Sequence, residues 1–134
     1  MSATGSALLD TTVVVGYFRQ DPDLHRKIDQ LSDVYMPLAV LGELFYGAYK
    51  SIHKPRMLAQ VKSFSGGCIV IQPNEITAEL YGQIKAELSL AGHPIPQNDI
   101  WIAAVAKQHD LPLATRDQHF SFVSRADTSQ MVES

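Results

Sequence analysis

Ala7-Leu8-Leu9-Asp10-Thr11-Thr12 decides how the whole chain is read. Three apolar residues stop abruptly at an acid, two threonines follow, and residues 13–18 are largely apolar again. A run this short suits a buried strand, and Asp ahead of hydroxyl residues suits the start of a helix. The polar triplet therefore marks a strand-to-helix junction.

Working outward, the same alternation recurs. Asp21-Pro22 predicts a second helix start, because Asp caps free amides and Pro suits the first turn; Leu24, Ile28 and Leu31 follow at helical spacing. Val34-Tyr35-Met36 reads as a second strand, broken at Pro37. Over residues 38–50 apolar side chains surround the predicted helix almost completely, which implies burial on several sides, and Glu43 lies in its middle. A helix over 55–64 is followed by Gly66-Gly67 and a third strand over 68–71. Ile76, Leu80, Ile84 and Leu88 keep a spacing of four along an amphipathic helix that stops near Gly92. His93-Pro94-Ile95-Pro96 is an extended loop, Asn98-Asp99 opens a helix rich in small residues, and 111–115 forms a fourth strand ending before Asp117. The tail over 121–134 leaves room for an added edge strand. Strands alternating with helices predict an α/β domain, with a mainly parallel sheet of four or five strands covered on both faces.

Composition narrows the class. A chain of 134 residues, 46% apolar and 19% charged, suits one domain over 1–134, with its core at about 7–120. The formal net charge of -3, from 14 acids against 11 Lys and Arg, gives no overall attraction to a polyanion, so nucleic-acid contact must be local or bridged by metal. One cysteine, Cys68, excludes an internal disulfide and sits in an apolar run as a small hydrophobe. The amino-terminal residues lack a basic n-region, and the apolar window 34–49 is short for a membrane span, so the protein reads as cytoplasmic with no membrane partner.

Asp10, Asp99 and Asp117 fall at the ends or starts of elements, and in a parallel sheet the carboxyl ends of the strands form one rim where ligands bind. Glu43 is the only carboxylate in 34–49. A lone buried carboxylate costs roughly several kcal/mol without a partner, and a divalent cation supplies one. Oxygen ligands without a His or Cys cluster suit Mg²⁺ or Mn²⁺ rather than zinc. Such a site can activate water and neutralise charge on a phosphodiester. Thr12 and Thr115 offer hydroxyls beside Asp10 and Asp117, suited to holding a metal-bound water or orienting a carboxylate. Plainer readings stay open: Asp10 and Asp117 also suit helix capping, Asn98 competes with Asp99 for a cap, and Glu43 could pair with Arg116 or Lys107.

Leu8-Leu9-Asp10-Thr11-Thr12, Gly42-Glu43-Leu44, Asn98-Asp99-Ile100-Trp101-Ile102-Ala103-Ala104 and Thr115-Arg116-Asp117-Gln118-His119-Phe120 together resemble the VapC toxins of the PIN-domain family. The likeness runs over residues 8–120, and its specificity lies in four acidic motifs occurring in the family's order. It implies a three-layer α/β/α fold with Asp10, Glu43, Asp99 and Asp117 as the catalytic, metal-binding acids. It also implies an endoribonuclease toxin dependent on Mg²⁺ or Mn²⁺, acting on structured RNA such as tRNA or rRNA. A VapB-like antitoxin that blocks the site with an inserted segment, and a homodimer, are implied in the same way. One position departs from the pattern: Thr12 stands where such proteins typically carry Asn or Ser, and since a hydroxyl is kept, activity is expected to survive.

Lys50, His53, Lys54 and Arg56 form the densest basic stretch, either a solvated loop or a contact for RNA phosphates or an acidic partner segment. Arg116 is suited to holding substrate phosphate or to offsetting the acids around it. Tyr46, Tyr49 and Trp101 fit core or dimer contacts better than base stacking, and His119 fits packing beside the site rather than metal ligation. Two rival functions remain. Asp10 could be the nucleophile of a phosphatase resembling the haloacid dehalogenase superfamily, a reading that explains Glu43 poorly. Alternatively the chain is a PIN-like module that binds RNA or protein without cutting.

Overall fold

In the computed structural model, which describes residues 5–117, the junction at Asp10 forms as the sequence predicts. Strand β1 (Ser6–Leu9) ends at Asp10, whose extended backbone (φ -91°, ψ 177°) makes it the N-cap of helix α1 (Thr11–Phe18). Helix α2 (Pro22–Asp29) starts as read from Asp21-Pro22, with the Asp21 carboxylate accepting from the amides of Asp23 and Leu24. Strand β2 (Asp33–Pro37) and helix α3 (Leu38–Tyr49) follow, then helix α4 (Lys54–Gly66) and strand β3 (Ile69–Ile71). Helix α5 (Glu75–Ala91) is closed at its start by an Asn74–Thr77 capping box and at its end by Gly92 at φ 76°, a left-handed conformation that favours glycine. Helix α6 (Gln97–His109) and strand β4 (Leu113–Ala114) complete the described part. No helix among the described residues is long and apolar enough to cross a membrane.

The four strands are ordered β3-β2-β1-β4, every pair parallel. Leu8 and Leu9 of β1 are both 0% exposed, and successive strand residues face opposite ways, so helices cover both faces of the sheet as expected. Much of that cover is α6, where Ile100 and every residue from Ile102 to Ala106 is buried and the alanines allow close approach. From β1 the chain steps outward to β2 and β3, then crosses back to lay β4 on the other side of β1. The reversal leaves a crevice between the carboxyl ends of β1 and β4, the position where open α/β sheets bind ligands. Register Leu9↔Ala114 puts Asp10 and Thr115 side by side at that crevice.

Helix α3 departs from expectation. Only Val40, Leu44 and Ala48 are buried, while Leu38, Tyr46 and Tyr49 are exposed. Its composition is apolar all round, but the rest of the described chain covers one stripe of it. Glu43 is accordingly half-buried rather than enclosed. Strand β4 is shorter than the run 111–115 suggests; Leu111 and Pro112 lead into it, and the Pro112 carbonyl accepts from the Leu8 amide at 2.9 Å. Cys68 lies just before β3, its thiol donating to the Phe64 carbonyl at 3.3 Å, and burial pushes its pKa up to about 11, in keeping with an inert hydrophobe. The suggested edge strand over 121–134, and His119, fall outside the described residues.

Gly16 is required by close packing. A Cβ there would collide with Leu24 Cδ1 and come within 3.1 Å of Arg116 Nη1. Leu24 is 0% exposed and has no room to retreat. Gly16→Ala is expected to destabilise the protein by about 1–3 kcal/mol, seen as a lower denaturant midpoint with an unchanged m-value; an unchanged midpoint would show that Leu24 repacks freely.

Candidate active site

Asp10 is the centre of the site and is only 2% exposed. Its Oδ1 accepts from the Thr12 hydroxyl at 2.7 Å and from the Val13 amide at 3.2 Å, and its Oδ2 accepts from the Thr115 hydroxyl. Both hydroxyls are oriented from behind: Thr12 Oγ1 accepts from the Arg116 amide at 3.0 Å, and Thr115 Oγ1 from the Asp117 amide at 2.8 Å. With an amide proton pointing at each oxygen, each hydroxyl proton is left to face the carboxylate. Thr12 and Thr115, singled out by position in the sequence, thus clamp Asp10 from the helix side and the strand side. The helix-cap reading of Asp10 is also correct, because the Val13 contact is that cap.

Burial raises the pKa of Asp10 most strongly; the bonds from Thr115, Thr12 and Val13 pull it back, and the charge of Asp117 pushes it up again. Asp10 and Asp117 are therefore close enough to repel. A carboxylate has about four lone-pair sites, and the three donors leave room for a further electrophilic partner. A hard dication in the crevice would offset both the burial cost and the repulsion, and the oxygen-only donor set fits one. Among the described residues, no three His, Cys, Asp or Glu side chains close into a ready-made cage.

Glu43 reaches the site through Thr11, whose Oγ1 donates to Glu43 Oε1 at 2.5 Å. Thr11 belongs to the first motif but had no role in the sequence reading. Its partner lies 32 positions away and depends on how α1 packs on α3, so no local pattern signals it. Asp99 lies half-buried in the first turn of α6, past the N-cap residue Pro96, and α6 packs against α3. Neither Asn98 nor Asp99 occupies the cap position.

The basic residues divide. Arg116 pairs with Asp21 across 95 positions, Nη2 to Oδ2 at 2.6 Å, rather than with Glu43. Lys50 reaches over the ring of Tyr46, 4.7 Å from its centroid, and Lys50, His53, Lys54 and Arg56 are exposed around the α3–α4 turn. Arg56 also lines a groove of about 720 Å³ with Thr11, Glu43 and Arg19, an arginine that sequence reasoning passed over. A larger cavity of about 820 Å³, lined by Tyr17, His25, Phe64 and Cys68, contains none of the four acids. Trp101 stacks on Tyr81 at 4.2 Å between centroids, a contact between α6 and α5.

A parallel α/β sheet with the buried Asp10, and Asp117 acting on it, where its strand order reverses defines the class of protein, and comparison with known proteins places it. Residues 7–126 match the PIN domain family. Ribonuclease VapC2 of Haemophilus influenzae is 32% identical over 112 residues, covering 82% of this chain and 85% of that protein. The tRNA(fMet)-specific endonuclease VapC of Salmonella typhimurium is also 32% identical, with the same coverage of both chains. The DNA-bound VapBC structure from Salmonella typhimurium superposes with a TM-score of 0.89 at 26% identity, covering 96% of this chain and 100% of that one. The chain belongs to the PIN domain family and is a VapC-type ribonuclease.

The Arg116 pair has a pH signature. The guanidinium hydrogen bond holds the Asp21 carboxyl below its usual pKa. The pair's contribution to stability is therefore present above the unfolded value near about 3.9 and is lost as pH falls through the lower folded value. Thermal melts of Arg116→Gln are expected to lie below wild type by a constant gap from neutral pH down to about pH 5, the gap closing under more acidic conditions. A gap unchanged by acid would show that Arg116 acts through packing alone.

Proposed function

We infer that the protein is an endoribonuclease dependent on Mg²⁺ or Mn²⁺ and the toxin of a VapBC-type toxin–antitoxin pair, acting in the cytoplasm as a single domain. The observation that carries this is Asp10: a buried carboxylate at the sheet's switch point, oriented by two hydroxyls and repelled by a second acid. Asp10 and Asp117 are the pair that would hold the metal, Glu43 and Asp99 are the further carboxylates proposed for it, and Thr12 and Thr115 fix the oxygens of Asp10. When bound, the ion supplies an activated water and charge neutralisation at the phosphodiester.

The chain's own contribution is to orient and bind. Thr12 and Thr115 keep the oxygens of Asp10 in one geometry, so no rearrangement is needed when substrate arrives. Arg19 and Arg56, beside Glu43 in the 720 Å³ groove, meet RNA phosphates locally where a net charge of -3 gives no general attraction. Lys50 and Lys54 extend this contact from the exposed turn. Structured RNA of the tRNA class is the substrate suggested by the Salmonella relative's name, and a VapB-like antitoxin is suggested by the VapBC assembly of its structural neighbour. A homodimer is what the family resemblance of the four acidic motifs implies, and exposed Leu38, Tyr46 and Tyr49 offer apolar surface for it. The phosphatase alternative is disfavoured because residues 7–126 match the PIN domain family and the similar Haemophilus influenzae protein is a ribonuclease.

Antitoxin-free protein is expected to cut tRNA with Mg²⁺ or Mn²⁺ and to stop in chelator. Asp10→Asn and Asp99→Asn should each lower the rate by about 100-fold or more, at or above the upper end of what losing an outer-sphere partner costs. Undiminished cutting by either variant would remove that acid from the site. Absence of metal-dependent cutting by wild type, with RNA still bound, would favour the non-catalytic module.

A further inference from the structure

Three threonines crowd the start of α1 and the end of β4, and they divide their work. Thr12 and Thr115 both serve Asp10, whereas Thr11 turns to α3 and donates to Glu43 Oε1 at 2.5 Å. We propose that Thr11 is a positioning residue that holds the Glu43 carboxylate on the Asp10 side of its groove. The proposal rests on the nuclease reading above.

The argument starts from the freedom of the Glu side chain. Glu43 is half-buried in the middle of α3 and has a long, flexible stem, so its carboxylate can sweep over several positions. The groove it lines also carries Arg19 and Arg56. Either guanidinium is a natural fork for a carboxylate, and such a pair would draw Glu43 away from the sheet edge. Thr11 opposes this from the first residue of α1, directly after Asp10. Its hydroxyl is carried on a β-branched side chain with few rotamers, and its backbone is fixed by the cap that Asp10 makes. Glu43 Oε1 is thereby tethered to the residue adjoining the central acid.

Thr11→Val keeps the shape and removes the hydroxyl; Thr11→Ser keeps the hydroxyl. Three readouts separate positioning from a structural role: Mn²⁺ affinity of RNA-free protein, RNA cleavage against metal concentration, and thermal stability in chelator of the 11/43 double-mutant cycle with Glu43→Ala, which removes the acceptor that Gln would keep. Thr11→Val is expected to weaken Mn²⁺ binding roughly tenfold and to raise the metal needed for half-maximal cleavage by a similar factor. Thr11→Ser should recover most of both, and Thr11→Val should add no further loss in a Glu43→Ala background. Wild-type Mn²⁺ affinity in Thr11→Val, or a loss that persists undiminished in the Glu43→Ala background, would overturn the proposal. Wild-type protein that neither binds Mn²⁺ nor cuts RNA would overturn the nuclease reading and this role with it. The two failures are told apart by the wild type, which binds Mn²⁺ and cuts RNA in the first and does neither in the second.

Discussion

A carboxylate with almost no contact with water has to be satisfied by the protein, and the arrangement around Asp10 follows from that requirement. At 2% exposure, Asp10 takes hydrogen bonds from Thr12, Val13 and Thr115. Those donors come from the first turn of α1 and the end of β4, so satisfying one acid also fixes where the helix begins and where the last described strand stops. The amides of Arg116 and Asp117 extend the same network by orienting the two hydroxyls. Remove the acid, and the hydroxyls face one another across a gap with no common acceptor.

The network sits where it does because of topology. Strand order β3-β2-β1-β4 leaves the carboxyl ends of β1 and β4 flanking a crevice, and the parallel register brings Asp10 beside Thr115. Burial on both faces keeps β1 from shifting, since a slip of one residue would move Leu8 and Leu9 to the wrong faces. Charge repulsion between Asp10 and Asp117 is tolerated inside this rigid frame. Such local disadvantage is expected of functional sites, where stability is given up for a poised geometry. The Arg116–Asp21 pair and the close approach at Gly16 fasten α2 to the same end of β4, keeping the frame from opening.

Legibility in the sequence followed the range of each interaction. Asp10 as a junction, Asp21-Pro22 as a helix start and Gly92 as a helix end were readable, because capping acts within a few residues. Thr12 and Thr115 were readable as companions of the acids because they lie two residues from Asp10 and from Asp117. Helix α3 misled because an apolar sequence reports what could be buried, and the described chain covers only the Val40, Leu44 and Ala48 stripe. The partners of Glu43 and Arg116 were not readable. Thr11 is 32 positions from Glu43 and Asp21 is 95 from Arg116, and neither spacing corresponds to any local period.

By itself the sequence determined the alternation of strands and helices, the position of each acid at an element's end or on one helix, and, through the order of four acidic motifs, the family. Hydrophobic period and capping chemistry are short-range, so they survive reading along a line. Tertiary structure alone decided which acids act on one another, that the described chain leaves one apolar side of α3 uncovered, and that Glu43 meets Thr11 while Arg116 pairs with Asp21. Those outcomes depend on helix-on-helix and strand-on-strand placement, where a shift of a few ångströms exchanges one hydrogen-bond partner for another.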